Sequence, residues 1–176
     1  HETLAEEELV SRDAIARYGL TLQDVSDTGS TVISNGVLQF GAGTSGTIGR
    51  SAVVSNYSAI AFGRSDATYA VTNLIDGPGA LIQRGAGRTT LSPAGGANPY
   101  RGRTFVTNGT LAVAAEAALG AIPASVVADQ LTLSGGSLAA TTSLTLDDAN
   151  RGITVGANGG GLGADGANTL IVASVI

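Results

Sequence analysis

The sequence predicts an all-β fold, a parallel β-helix or solenoid of about seven stacked coils behind a short N-terminal helix. Three features carry that expectation: a glycine-rich and charge-poor composition, short β-branched runs punctuated by turn residues, and recurrence of those runs. Glycine fills 26 of 176 positions, about twice the roughly 7% usual in proteins. Charged residues make up 13%, against a usual ~25%. So much glycine would cost a helical domain about 1 kcal/mol at each interior position. A hydrophobic content of 43% excludes a disordered chain.

Residues 3–18 read as the one helix. Thr3 and Glu6 form a capping box, Glu6, Glu7 and Glu8 sit near the positive end of the dipole, and Gly19 supplies a stop. Glu8 with Arg12 and Asp13 with Arg17 are i,i+4 pairs, while Val10, Ala14 and Tyr18 line one apolar face. The expected division is a helical cap over residues 1–19 and a β-helix over 20–176. The chain opens on His1 and an acidic stretch, so the expectation is that no signal peptide remains.

From Leu20 onward, runs of Val, Ile, Leu, Thr and Phe alternate with Gly, Asn, Ser and Asp clusters, the punctuation of short strands and turns. Thr31-Val-Ile-Ser-Asn-Gly-Val-Leu-Gln-Phe40 aligns without a gap onto Thr104-Phe-Val-Thr-Asn-Gly-Thr-Leu-Ala-Val113. Looser copies lie at residues 53–60 and 131–138. Asn56 follows Asn35 by 21 positions and Gly135 follows Asn108 by 27, the length of one solenoid coil. Units of this size cannot close a core alone, but stacked coils can, each strand pairing with its equivalents above and below. Asn and Gly at the corners are expected to supply positive φ.

Residues 77–120 carry a longer signature. Gly77-Pro-Gly-Ala-Leu-Ile-Gln-Arg-Gly-Ala-Gly-Arg-Thr-Thr-Leu-Ser92 is followed by Asn98-Pro-Tyr-Arg-Gly-Arg-Thr-Phe-Val-Thr-Asn-Gly-Thr-Leu111 and Ala118-Leu-Gly120. This segment resembles the autotransporter-associated β-strand repeat, or passenger-associated transport repeat. Arg84 stands at its usual Lys position, Arg103 replaces the second Gly of its usual turn, and Pro93 and Pro99 interrupt two usual steps. The resemblance implies a right-handed parallel β-helix, exported by a Gram-negative-type cell and extracellular or displayed on its surface. It implies a passenger that serves as stalk, adhesin or aggregation module. The sequence shows no translocator barrel, so export by this chain alone is not expected.

The side-chain census points away from catalysis. There is no Cys, the nine basic residues are all Arg, and the single His is His1. A Ser-His-Asp triad, a His or Cys zinc site, a Schiff-base Lys and a Walker Lys each lack a component. No enzyme, cofactor or metal is expected. Gly160-Gly-Leu-Gly-Ala-Asp-Gly-Ala-Asn168 fits one copy of a calcium β-roll motif, yet a single Asp leaves most of the ligands unsupplied. Asp147 and Asp148 are adjacent, as in polysaccharide-cleaving β-helices, but read as turn caps before Asn150, Arg151 and Gly152. Gly41-Ala-Gly-Thr-Ser-Gly46 satisfies G-x-G-x-x-G without opening a helix, which excludes a dinucleotide loop. Asn56 and Asn108 open formal glycosylation sequons.

A net charge of −5 argues against nucleic-acid partners. Between Asp76 and Glu116 there is no acid, whereas Arg84, Arg88, Arg101 and Arg103 fall in that window. The default reading is a solvated face; brought together on one face, they would grip sulfated, phosphorylated or carboxylated glycans through bidentate contacts. The apolar stretches at 111–128 and 169–176 fail as membrane spans. Leu170, Val172, Val175 and Ile176 end the sequence in a β-rich run without a cap, which is expected either to continue into further chain, the simpler account, or to pair end to end with another coil. The leading expectation is a non-catalytic surface stalk or adhesin with a glycan or protein partner. A filament built by head-to-tail stacking is the alternative, and a polysaccharide-active enzyme is the third reading.

Overall fold

A computed structural model describes residues 30–48 and 53–173, together with the backbone of Thr21–Leu22. The helix expected at 3–18, the cap boundary at 19, and Val175 and Ile176 lie outside the described residues. Among the described residues seventeen strands, numbered in chain order, form a parallel β-solenoid whose coils visit three faces in turn.

The first face is one parallel sheet of seven strands: β1 (Thr21–Leu22), β3 (Val37–Gly43), β5 (Ala59–Arg64), β8 (Ala80–Gln83), β10 (Thr104–Val106), β12 (Val127–Leu133) and β15 (Arg151–Val155). Seven strands enclose about six full turns, against the about seven coils expected. The second face stacks β6 (Tyr69–Val71), β9 (Arg88–Leu91), β11 (Thr110–Val113), β13 (Ser137–Ala140) and β16 (Gly161–Ala164). The third begins with β2 (Thr31–Ile33), β4 (Val53–Asn56) and β7 (Leu74–Asp76) and resumes with β14 (Leu144–Leu146) and β17 (Leu170–Val172). Between these two small sheets the third face is irregular, with a 3₁₀ turn at Glu116–Leu119.

Register shows why the recurrence has the lengths it has. Val37 pairs with Ala59, Ala59 with Ala80, Leu81 with Thr104, Thr104 with Leu131, and Leu131 with Ile153. The steps are 22, 21, 23, 27 and 22 residues, so the coil between β10 and β12 holds the extra chain. The aligned copies are corners rather than whole coils. Residues 31–40 turn from the third face onto the first (β2 to β3), whereas 104–113 turn from the first onto the second (β10 to β11). Strand, Asn-Gly, strand is thus one solution used at two corners.

Alternation sends every second side chain inward. Leu38, Ile60, Leu81, Thr104, Leu131 and Ile153 form one buried column through the first face, and Phe40, Phe62, Gln83, Val106 and Leu133 form its neighbour. Phe40 and Phe62 stack with ring centroids 6.3 Å apart. Burying each large aliphatic contributes about 1.5–3 kcal/mol.

At the corners, among the described residues, only glycines take positive φ. Asn35 and Asn108 act through their side chains instead, each Oδ1 accepting the next glycine's N–H at 2.8 Å. Gly109 needs its freedom twice over. Its φ is +59°, and a Cβ there would lie 2.3 Å from the Gly85 carbonyl oxygen of the preceding coil.

Candidate functional site

Three places concentrate polar chemistry. The first is the irregular stretch of the third face, where Pro99 has no N–H to donate and regular pairing stops. Asn98 is buried there and its side chain takes over the rung. Its Oδ1 accepts the Ile75 N–H at 2.9 Å from one neighbouring coil, and its Nδ2 donates to the Ala118 carbonyl at 3.0 Å in the other. The backbone adds Tyr100 N–H to Ile75 O at 3.1 Å and Ala121 N–H to Tyr100 O at 2.8 Å.

Tyr100 is fully buried, and its hydroxyl shares a 2.7 Å hydrogen bond with Thr104 Oγ1. Thr104 occupies a position in the leucine column, so each hydroxyl gives the other a partner. Burial pushes the Tyr100 phenol up to about 12, against the opposing pull of the Thr104 bond and the Arg151 charge. A folded-state value above the unfolded one means stability is intact below pH ~10 and falls as pH rises toward ~12, by about 2 kcal/mol at that point. Thermal midpoints for Tyr100→Phe should therefore sit below the parent at pH 8, by the loss of about 1 kcal/mol of hydrogen bonding. The difference should close and reverse as pH approaches ~12. A pH-independent gap would refute the assignment.

The second place is Arg151, whose side chain is 1% exposed. It opens β15 and reaches into the 27-residue coil, where Nη1 donates to Leu119 O at 2.8 Å and Nη2 to Gly120 O at 3.0 Å. Its Nε faces Glu116 Oε1 at 3.4 Å without hydrogen-bond geometry, and Nη2 lies 3.7 Å from Asp148 Oδ2. Glu116 also accepts the Asp147 N–H at 3.1 Å, and Asp148 Oδ1 accepts the Asn150 N–H at 2.9 Å. Asp148 is thus a turn cap, as its neighbours implied, whereas Asp147 enters through its backbone N–H. A cleft of about 330 Å³ lies over this cluster, walled by Asn98, Pro99, Glu116, Ile122 and Arg151. The guanidinium is taken up by carbonyls and carboxylates of its own chain.

The third place is exposed. Arg101 and Arg103 flank Gly102 at the corner leading into β10 and line a groove of about 510 Å³ with Phe105. Arg84 is exposed beyond the other end of the same face, just past β8. Arg88, on the second face, is bound to Asp165, with Nη1 to Oδ1 at 3.1 Å. The four arginines thus divide between two corners, with Arg101 and Arg103 brought together. Leu170 and Val172 are half-buried against the core.

Other sequence features find plain uses. Asp165, the carboxylate of the calcium-like motif, is occupied by Arg88. Among the described residues no cluster of three His, Cys, Asp or Glu could hold a metal. Asn56 is buried and donates to Ala80 O at 2.9 Å, so its sequon is closed in the folded chain, whereas Asn108 is exposed. Gly41 and Gly46 enclose a loop gripped by Arg64, which donates to the carbonyls of Gly46 and Thr44, pairs with Asp66, and covers the Tyr69 ring at 4.5 Å. Among the described residues no helix is long and apolar enough to cross a membrane.

Residues 81–113 match the sequence model of the passenger-associated-transport-repeat. The matched span runs from within β8 to the end of β11, one complete circuit of the three faces plus the next two strands. The repeat therefore describes one coil stacked on part of its successor, with Asn98, Tyr100 and Gly102 at the irregular third face and its following corner. No curated protein and no solved structure matches the chain.

Proposed function

From a β-solenoid that carries a passenger-associated transport repeat, we propose that this chain is a non-catalytic passenger segment, a rigid extracellular column serving as surface stalk or adhesin. The observation that carries the reading is the coincidence of the 81–113 match with one coil-stacking unit in a continuous seven-stranded parallel sheet. Parallel pairing along the axis makes each coil the template for the next, so reach grows with coil number at ~4.8 Å per step. Secretion from a Gram-negative cell follows from the repeat. Protease shaving of intact producing cells, followed by immunodetection, tests it: release or loss of the chain is expected, and full protection overturns the reading.

A second reading, end-to-end self-association, is favoured by the rung of β15, β16 and β17, where Val155, Leu162 and Ile171 are exposed. Exposed apolar side chains beside strand edges that have no partner among the described residues are templates for another chain. Light scattering over a concentration series decides this reading; a constant monomeric mass rules it out.

A further inference from the structure

We propose that the groove beside β10 binds a linear acidic glycan lying along the solenoid axis, with Arg101 and Arg103 gripping its carboxylates or sulfates and Phe105 under a sugar ring. The proposal rests on the extracellular passenger reading and adds a ligand class to it.

Among the described residues, Arg64, Arg88, Arg103 and Arg151 each have a carboxylate within salt-bridge reach, whereas Arg84 and Arg101 have none. Arg101 is therefore an exposed guanidinium with its five donors available. Arg103 faces Asp129 at 3.0 Å, with both side chains about half exposed at 52% and 44%. A pair so exposed is worth about 0–1 kcal/mol, so a ligand anion exchanges with Asp129 at small cost. Neither arginine holds up the fold, and the backbone at 103 is not in the left-handed region that demands glycine.

The groove's shape is fixed from below. A Cβ at Gly102 would lie 2.1 Å from the Gly79 carbonyl oxygen, so the floor between the two arginines stays low. Buried Gln130 fastens that floor, its Nε2 donating to Gly102 O at 2.9 Å. The lining passes from Ser58 through Pro78 and Arg103 to Val127, residues of four successive coils. Three coil steps span about 14 Å, room for an oligosaccharide rather than a single ring. Phe105 points outward from β10 in register with Ile82, which places a flat apolar surface beside the cations. A polymer that is apolar on its ring faces and anionic at its edges matches both features. A net charge of −5 selects against a nucleic acid, which needs many more cations.

Fluorescence anisotropy with the purified full chain tests the proposal, using labelled oligogalacturonate, sulfated dextran oligomers, neutral dextran oligomers and duplex DNA. Binding of the carboxylated or the sulfated probe is expected at ~20 mM salt, weaker at ~150 mM, with the neutral probe unbound. The two anionic arms identify which group is preferred. Arg101→Ala with Arg103→Ala should weaken binding at least ~10-fold, about 1.4 kcal/mol, while Arg88→Gln stays within about two-fold. An unchanged thermal midpoint in the double variant shows that the fold is kept. Absence of binding to both anionic probes overturns the proposal. So does equal weakening by Arg88→Gln, or tighter binding to duplex DNA than to either glycan. These failures leave the passenger reading standing, since that reading is decided by exposure on cells.

Discussion

Arg151→Ala is expected to lower stability by about 3–5 kcal/mol, because it removes one partner of a buried ion-pair cluster. The reason lies in what remains. Glu116 and Asp148, with side chains only 15% and 5% exposed, would keep their carboxylates while losing the cation between them. The carbonyls of Leu119 and Gly120 would lose their donors in a buried site. For a chain of this length, the thermal midpoint should fall by about 10 °C. Hydrogen exchange should quicken first around the 3₁₀ turn, because a solenoid communicates mainly between neighbouring coils. Replacing the whole cluster, as Arg151→Met with Glu116→Gln and Asp148→Asn, should recover more than half of the loss. A midpoint within about 2 °C of the parent for Arg151→Ala would mean that the guanidinium is not the plug of the long coil.

Much of the solenoid was legible because it depends on local rules that repeat. The strand–Asn-Gly–strand pattern at 31–40 and 104–113 is a corner with strands on either side, and strands they are. What alignment could not show was which corner. A corner between the third and first faces obeys the same turn chemistry as one between the first and second, so similarity alone cannot assign the face. The expected total of about seven coils matches the seven strands stacked on the first face, which enclose about six full turns between them.

The polar sites were less legible, because they depend on side chains from different coils meeting across 20 to 77 positions. Arg88 and Arg101 look alike in an acid-free window, yet Asp165 occupies one and no described carboxylate occupies the other. Arg151 had a local signal in Asp147 and Asp148 just before it. Nothing nearby in sequence told that Leu119 and Gly120 would present carbonyls to it. An oversized coil followed by an arginine behind two aspartates is the pattern that could have found it.

The repeat signature carries its own test in Asn98. Asn98→Leu keeps volume and removes both hydrogen bonds, leaving the Ile75 N–H and the Ala118 carbonyl buried without those partners. At about 1–3 kcal/mol for each orphaned group, the expected loss is about 2–5 kcal/mol. Asn98→Asp separates the two halves of the argument. A carboxylate still accepts from Ile75 but offers Ala118 no donor, so Asn98→Asp should lose stability at neutral pH and regain part of it in acid, where the protonated group donates again. Pro99 explains why a side chain is needed at all: with no N–H at 99 and no strand between β9 and β10, the backbone cannot carry the rung by itself. If Asn98→Leu unfolds at the parent's midpoint, the asparagine is not the bridge between coils, and the repeat's polar signature needs another physical cause.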